Sequence, residues 1–461
     1  SSGGWIQKGG VLGAALGFVV GGVMIFFVGL TYAELTAAMP QCGGEHVWSH
    51  RAMGPTGSFV CTWAIILGYV GVACFEACAF PTIISYLWPG FLKGYLYTVA
   101  GFDIYASWLI VAILVAFCIM LINIVGAKTA AKLQTILTII IGGAGILLIV
   151  ASVINGTVDN LDGQMFAEVG GGGIVKSILS VAVISPFYLI GFDVIPQAAE
   201  EINVPPKKIG GMLILSVVLA VLFYAFVIIA VGLVMNSGAI TASQAGTGLV
   251  TADVIIVGGM CGIITSWNSF MIGGSRAIYS MAESYMIPRV FAKLHPKHKT
   301  PINALILIGI LTMLAPFAGR VMMVWICDAG NFGCCLAYCM VAISFLILRK
   351  KQPDMPRPYK VPAGRLMGGI AVLMSGFMVV MYCIPGSGGT LILPEWGMVA
   401  AWSALGVVFF AICKSKYRES FGSMVQLISD EDAATLLPEA DERELDKVID
   451  GAIDRVLARL A

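Results

Sequence analysis

Apolar positions in this chain neither alternate nor fall into narrow stripes. They run on for helix-spanning lengths. A helix needs about 20 apolar residues to cross the ~30 Å of a bilayer's hydrocarbon. Eleven stretches reach that length or nearly so: 11–36, 58–87, 103–124, 130–154, 174–198, 209–235, 252–282, 302–318, 321–348, 366–384 and 396–413. Short connectors with Gly, Pro, Asn or charges separate them, as turns at an aqueous face require. The pair 302–318 and 321–348 is divided only by the turn around Ala318-Gly319-Arg320. A β-barrel is excluded, because its strands alternate over about ten residues. The pattern predicts an all-α integral membrane protein with eleven spans over residues 1–413. Beyond Cys413 it changes. Residues 414–461 are polar, with an acidic Asp430-Glu431-Asp432. Leu445, Val448, Ile449, Ile453, Val456, Leu457 and Leu460 then recur at helical spacing. This predicts a cytosolic amphipathic helix.

Composition removes the alternatives. Of 461 residues, 59% are apolar and 11% charged, against about 25% charged in a soluble domain. The mean hydropathy is +0.92. A soluble fold could not keep so much apolar surface from water. The net charge of +1 hides a steep sidedness. One set of alternate connectors holds Lys8, Lys93, Lys176 and Arg320, while the other holds eighteen basic residues between Arg51 and Arg418. The basic set is cytoplasmic by the positive-inside rule. The expected topology has the N-terminus outside and the C-terminus in the cytoplasm of a cell (inner) membrane. Ser1-Ser2-Gly3-Gly4-Trp5 has no basic signal-like region. An outside N-terminus therefore calls for one more span before residue 1.

Little in the chain suggests metal or covalent chemistry. Most of the twelve cysteines lie inside apolar runs and no CxxC occurs, so they read as packing thiols. The four histidines fall in polar connectors. There is no GxSxG, HExxH or phosphate loop, so no enzyme is expected. The informative stretch is Ser185-Pro186-Phe187-Tyr188-Leu189-Ile190-Gly191-Phe192-Asp193-Val194-Ile195-Pro196. Two prolines and a glycine interrupt a span beside a carboxylate. Proline removes a backbone donor, and freed backbone groups are tolerated in a membrane only in a protein-lined or wet cavity. Broken helices of this kind form midplane substrate sites in transporters. Glu76 lies mid-span and Asp328 nearer the outer end of its span, where ionisable groups are costly and functional by default. Arg276, in the inner half of 252–282, either pairs with a carboxylate or snorkels to the cytoplasm. Glu34 sits at a span end, where hydration is easy, and is read as structural.

At these residues the chain resembles the APC (amino acid–polyamine–organocation) transporter superfamily, of the bacterial amino acid permease type. Tyr32-Ala33-Glu34-Leu35 with Pro40-Gln41-Cys42-Gly43-Gly44-Glu45 looks like the signature after the family's second helix. Gly191-Phe192-Asp193 with Glu200-Glu201 and Asn203 resembles its broken sixth helix. Ser275-Arg276-Ala277-Ile278-Tyr279 with Pro288-Arg289 resembles the eighth. Arg349-Lys350-Lys351 through Pro353-Asp354, Arg357-Pro358-Tyr359 and Pro362 resembles the loop after the tenth.

The resemblance implies an inverted-repeat 5+5 fold plus two helices. Residue 11 would begin the second of twelve, so the first would be missing. It implies a secondary transporter of amino acids or amines. Phe187 would be the aromatic gate, with Tyr188 beside it among the substrate-binding residues and Ile190 and Gly191 in the unwound segment. Asp193, Glu76, Phe270 and Asp328 would line the substrate site, and Glu200, Glu201 and Arg276 the cytoplasmic gate. Three acids lean toward a cationic substrate, with a neutral amino acid as rival and a channel or sensor as the other class. The expected partners are a small-molecule substrate and the lipid bilayer, not nucleic acid. No cofactor is expected beyond a coupling Na+ or H+. Some members carry a lysine midway along the fifth helix, and Ile141 takes that position here. Lysine-based coupling is therefore not expected. Sodium, exchange, or a proton on Glu76 or Asp193 stay open. Thr265, Ser266 and Ser269 could aid a cation or simply bond the preceding turn.

Overall fold

The computed structural model describes residues 2–170, 172–202, 204–235, 252–385 and 390–423. The predicted tail helix lies outside the described residues. The helices in chain order are α1 (Ser2–Gly9), α2 (Val11–Ala38), α3 (Gly44–Leu87), α4 (Ala106–Val125), α5 (Ala127–Asn155), α6 (Gly173–Ala182), α7 (Ser185–Leu189), α8 (Val194–Gln197), α9 (Pro206–Val234), α10 (Ala252–Glu283), α11 (Ile302–Leu314), α12 (Val321–Lys351), α13 (Gly364–Cys383) and α14 (Leu393–Tyr417). A hairpin of β1 (Tyr95–Val99) and β2 (Phe102–Tyr105) precedes α4.

Each of the eleven predicted stretches is matched by helix. Among the described residues, nine helices are individually long and apolar enough to cross a membrane. The other two stretches are shorter as helices. Stretch 174–198 is broken into α6, α7 and α8, and 302–318 is α11 followed by a 3-10 turn over Ala315–Ala318. Pro186 and Pro196 account for the first case and Pro316 for the second, because each lacks the N–H that would continue the ladder.

Three local features depart from the expectation. The 88–102 connector holds the hairpin, whose turn residues Ala100 and Gly101 both have positive φ, 46° and 84°. That backbone matches the twist of paired strands. Residues before Val11, expected as an outer connector, form α1. Its Trp5 is buried, with its ring 4.7 Å from Phe18 and 4.8 Å from Tyr188. Finally, α3 begins fourteen residues before the predicted 58. Gly54 (φ 78°, ψ −173°) sits before Pro55 and divides it into an inner segment and a long apolar one. The residue before a proline is pushed out of the helical region.

The fold brings α3 between α10 and α12 and lays α2 along α9. Small residues set the α3–α12 distance. A Cβ added at Gly68 would lie 2.0 Å from Cys334 Sγ, so no larger residue fits that crossing. Close approach at small residues is how helices associate where lipid gives no hydrophobic drive.

Candidate substrate site and inner closure

Between α7 and α8 the residues Ile190–Asp193 leave the helix. Gly191 adopts φ +129°, a conformation L side chains rarely take, and thereby turns the chain. The ladder bond lost here is replaced by a side chain, since Asp193 Oδ1 accepts from Gly191 N–H at 2.8 Å. Asp193 is fully buried.

Aromatic rings close over this break. Phe187 stands edge-on to Phe75 at 5.7 Å and to Tyr188 at 5.3 Å. Phe270 comes from α10. A Cβ at Gly191 would sit 4.0 Å from its ring tip, and its centroid is 5.7 Å from that of Tyr69. Phe187 and Tyr188 of α7, Ile190 and Gly191 of the break and Phe270 of α10 are thus brought to one place.

The three acids are not gathered there. Glu76 is 7% exposed, its Oε2 has no hydrogen-bond partner, and the Ser266 hydroxyl lies against its carboxyl. Glu76 and Asp328 share Cys327 as an electrostatic neighbour, and Asp328 lies against Glu395 within range of Lys8. Asp193 is an electrostatic neighbour of Glu45. Glu76 lies toward the C-terminal end of α3 and Asp328 toward the N-terminal end of α12, whereas Glu45 opens α3.

Glu45 is the residue the sequence reading passed over. It closes the Pro40–Glu45 signature ahead of the predicted span, because residues 44–57 are too polar to register as one. The structure gives it no exposure. Tyr69 Oη donates to Glu45 Oε1 at 3.4 Å and to the Asp193 carbonyl at 3.2 Å. Gln197 Nε2 donates to Glu45 Oε2. His46 is likewise corrected. It is not in a solvated connector but fully buried in the first turn of α3, with its ring nitrogens against Thr62 (3.0 Å), Ser58 (2.9 Å) and Ser284 (2.9 Å).

Glu34 is the third correction. It has no exposure, so hydration does not support it. Arg349 grips it bidentately, with Nε at 2.9 Å from Oε1 and Nη2 on Oε2. Arg357 Nε lies 3.0 Å from Oε1, and Val361 N–H donates at 2.8 Å to Oε2. Two guanidinium groups and an amide take the place of water.

Near the C-terminal end of α10, Arg276 pairs rather than snorkels. Its Nε and Nη2 meet Glu201 at 2.8 and 3.1 Å, with the Arg276 side chain 3% exposed and that of Glu201 41%. Glu200 is exposed and is an electrostatic neighbour of Cys42, Tyr279 and Glu283. Burial, with Glu200 adding to it, pushes the Cys42 thiol above its ordinary range. Thr265 bonds the preceding turn at Cys261, and Ser269 accepts from Gln134 at 2.7 Å. Of the three hydroxyls, only Ser266 faces an acid. Ile141 packs at Gly262, where an added Cβ would meet its Cδ1 at 2.6 Å.

A family model for amino acid permeases matches residues 1–411. The chain belongs to the amino acid permease family. It is an APC superfamily transporter, not an enzyme. Its relatives include a branched-chain amino acid permease of Bacillus subtilis, 28% identical over 393 residues and covering 80% of each chain. A methylthioribose transporter of the same organism is 24% identical over 414 residues, 87% of this chain and 86% of the relative. The vacuolar cationic amino acid transporter 4 of Arabidopsis thaliana is 24% identical over 354 residues, 74% of this chain and 58% of that one. The names span different cargoes, so the family fixes the class of protein and not its substrate.

Proposed function

We propose that this permease is a secondary active transporter of amino acids or related amines in the cell (inner) membrane, with a cytoplasmic C-terminus, and that its substrate is cationic. Substrate would bind at the Ile190–Asp193 break under Phe187, Tyr188 and Phe270. The two halves would rock around that place, and Arg276 with Glu201 and Glu200 would close the cytoplasmic side. The observation that carries the cationic reading is Glu76. Its Oε2 is buried with no donor, and among the described residues no basic side chain pairs with it. An unpaired buried carboxylate is costly. An ammonium or guanidinium supplies both the opposite charge and the missing donor. Asp328 extends the acidic lining outward.

A neutral amino acid is the second reading, favoured by the rings of Phe187 and Trp5 against Tyr188 and of Phe75 against Phe187. Competition for uptake by arginine, putrescine and leucine in liposomes separates the two. Competition by arginine or putrescine supports the cationic reading, and competition by leucine alone refutes it.

A further inference from the structure

Helices α3, α12 and α14 leave an apolar groove of about 320 Å³ between them. It runs from Thr56 to Leu67 on α3 and from Phe410 to Val399 on α14, eleven residues on each, which makes it about 16 Å long. That is close to half of the ~30 Å hydrocarbon of a bilayer. Volume over length gives a section of about 20 Å², too narrow for a helix about 10–12 Å across but wide enough for one hydrocarbon chain. The two indoles that line the groove stack at 4.6 Å. Each donates its N–H to the other's backbone, Trp63 Nε1 to the Trp402 carbonyl at 2.8 Å and Trp402 Nε1 to the Trp63 carbonyl at 2.9 Å. Gly406 permits this, because a Cβ there would collide with Trp63 Nε1. The indole N–H groups are thus withdrawn from the groove, and walls made mainly of ring faces and aliphatic chains do not hold water. Its rims are open, with Val60 and Val407 exposed.

One end of the groove is basic. Lys414 Nζ stands 5.3 Å over the ring of Phe410, the groove residue nearest the end of α14. Lys351 Nζ donates at 3.2 Å to the carbonyl of Ala52, four residues before Thr56. Phe421 meets Phe410 edge-on at 5.1 Å, and a Cβ at Gly422 would meet Pro55 at 2.6 Å. The turn Arg418–Ser420 therefore folds back to the same end. Arg51 is exposed one helical turn before Pro55. Among the described residues no ion pair includes Lys414, Lys351, Arg51 or Arg418. These four cations stand against the Glu419 of that turn, so the end of the groove calls for an anion.

We propose that this groove binds one acyl chain of an anionic phospholipid, with the headgroup phosphate at Lys414 and Lys351. Each end of the groove selects a different part of that molecule. The narrow apolar slot takes the chain and covers the outer faces of Trp63 and Trp402. The basic end takes the phosphate, as clustered Lys and Arg beside membrane helices do. A zwitterionic lipid brings the same chain and phosphate, but its own cation cancels the attraction. A free anion matches the basic end and leaves the slot empty. Bound in this way, the lipid packs α14 against α3 and α12 where protein side chains do not fill the space. The inference does not depend on which substrate the permease carries.

The test uses the full chain in phosphatidylcholine vesicles that carry a small share of lipid brominated on its acyl chains, because bromine quenches an indole it touches. Brominated phosphatidylglycerol should quench the tryptophan fluorescence at about a tenfold lower share than brominated phosphatidylcholine. Trp402→Phe should remove most of that difference. Lys351→Gln with Lys414→Gln should abolish the preference. Lys360→Gln with Arg365→Gln, two exposed cations outside the groove, should leave it unchanged. Equal quenching by the two lipids overturns the proposal, and so does a preference that the second pair lowers as much as the first. The comparison of the two lipids is made on the unmodified protein, so it decides the matter even if a variant fails to fold. Inorganic phosphate should not relieve the quenching by phosphatidylglycerol. Full relief means that the cations hold a free anion only, which overturns the proposal. Quenching that falls as more protein is packed into each vesicle means that a second copy fills the groove, and that outcome overturns it too.

Discussion

Glu34 and Glu45 lie eleven residues apart at the same end of neighbouring helices, and neither is exposed. Their surroundings are opposite. Glu34 is met by two guanidinium groups and a backbone amide that join α2 to the end of α12 and to the loop after it. Glu45 is met by a tyrosine, a glutamine amide and a second acid. Burial alone therefore says nothing about role. A buried acid whose charge is fully matched is a fixed joint, because every change of state would strand a cation. A buried acid matched only by neutral donors can gain or lose a proton with small rearrangements. The difference separates an acid fixed by cations from one held only by neutral donors.

The largest expected effect breaks the joint. Arg349→Ala leaves Glu34 buried with half its compensation, which costs about 3–5 kcal/mol in comparable buried pairs. The measure is thermal unfolding of the detergent-solubilised protein, with a steep loss of monodisperse material expected. Behaviour like the parent would show that the joint is not structural. Next comes Gly191→Ala, which forces a Cβ into φ +129° in ordinary contact with the Phe270 ring but with the backbone strained, at about 1–3 kcal/mol. Since the strain falls on the unwound segment, uptake should drop more than folded yield, and equal losses would argue against a special role for that segment.

A smaller effect concerns the substrate. Glu76→Gln keeps the shape of the side chain and removes the charge, so apparent affinity for arginine should fall about tenfold, or ~1.4 kcal/mol, with leucine competition unmoved. An equal loss for both would remove the cationic reading. The smallest effect sharpens the comparison directly. Glu45→Gln should change unfolding by less than about 1 kcal/mol, because it leaves no cation unpaired. In contrast, Glu34→Gln should be strongly destabilising, since it strands Arg349 and Arg357. Equal penalties at the two sites would erase the distinction.

Much of the molecule was legible along the chain. The apolar runs located the helices, and Pro186, Gly191 and Pro196 located the break to within a few residues. The family resemblance supplied the aromatic residues that the structure gathers around it. What escaped was legible only in space. His46 and Glu45 lie in a stretch too polar for a span, yet α3 extends through it, because Ser58, Thr62, Tyr69 and Ser284 bond what would otherwise need water. Glu34 looked solvated because its partners stand 315 and 323 positions away in sequence. Glu45 and Asp193, far apart in sequence, meet the same Tyr69 hydroxyl only once the helices have packed.

The sequence by itself determined what the chain must do with its apolar surface and where its helices cannot continue, since both follow from local composition and from the missing proline donor. Tertiary structure alone decided which buried charges are neutralised. A hydrogen bond or ion pair forms over about 3 Å, a distance that residues hundreds of positions apart meet only after the helices have packed.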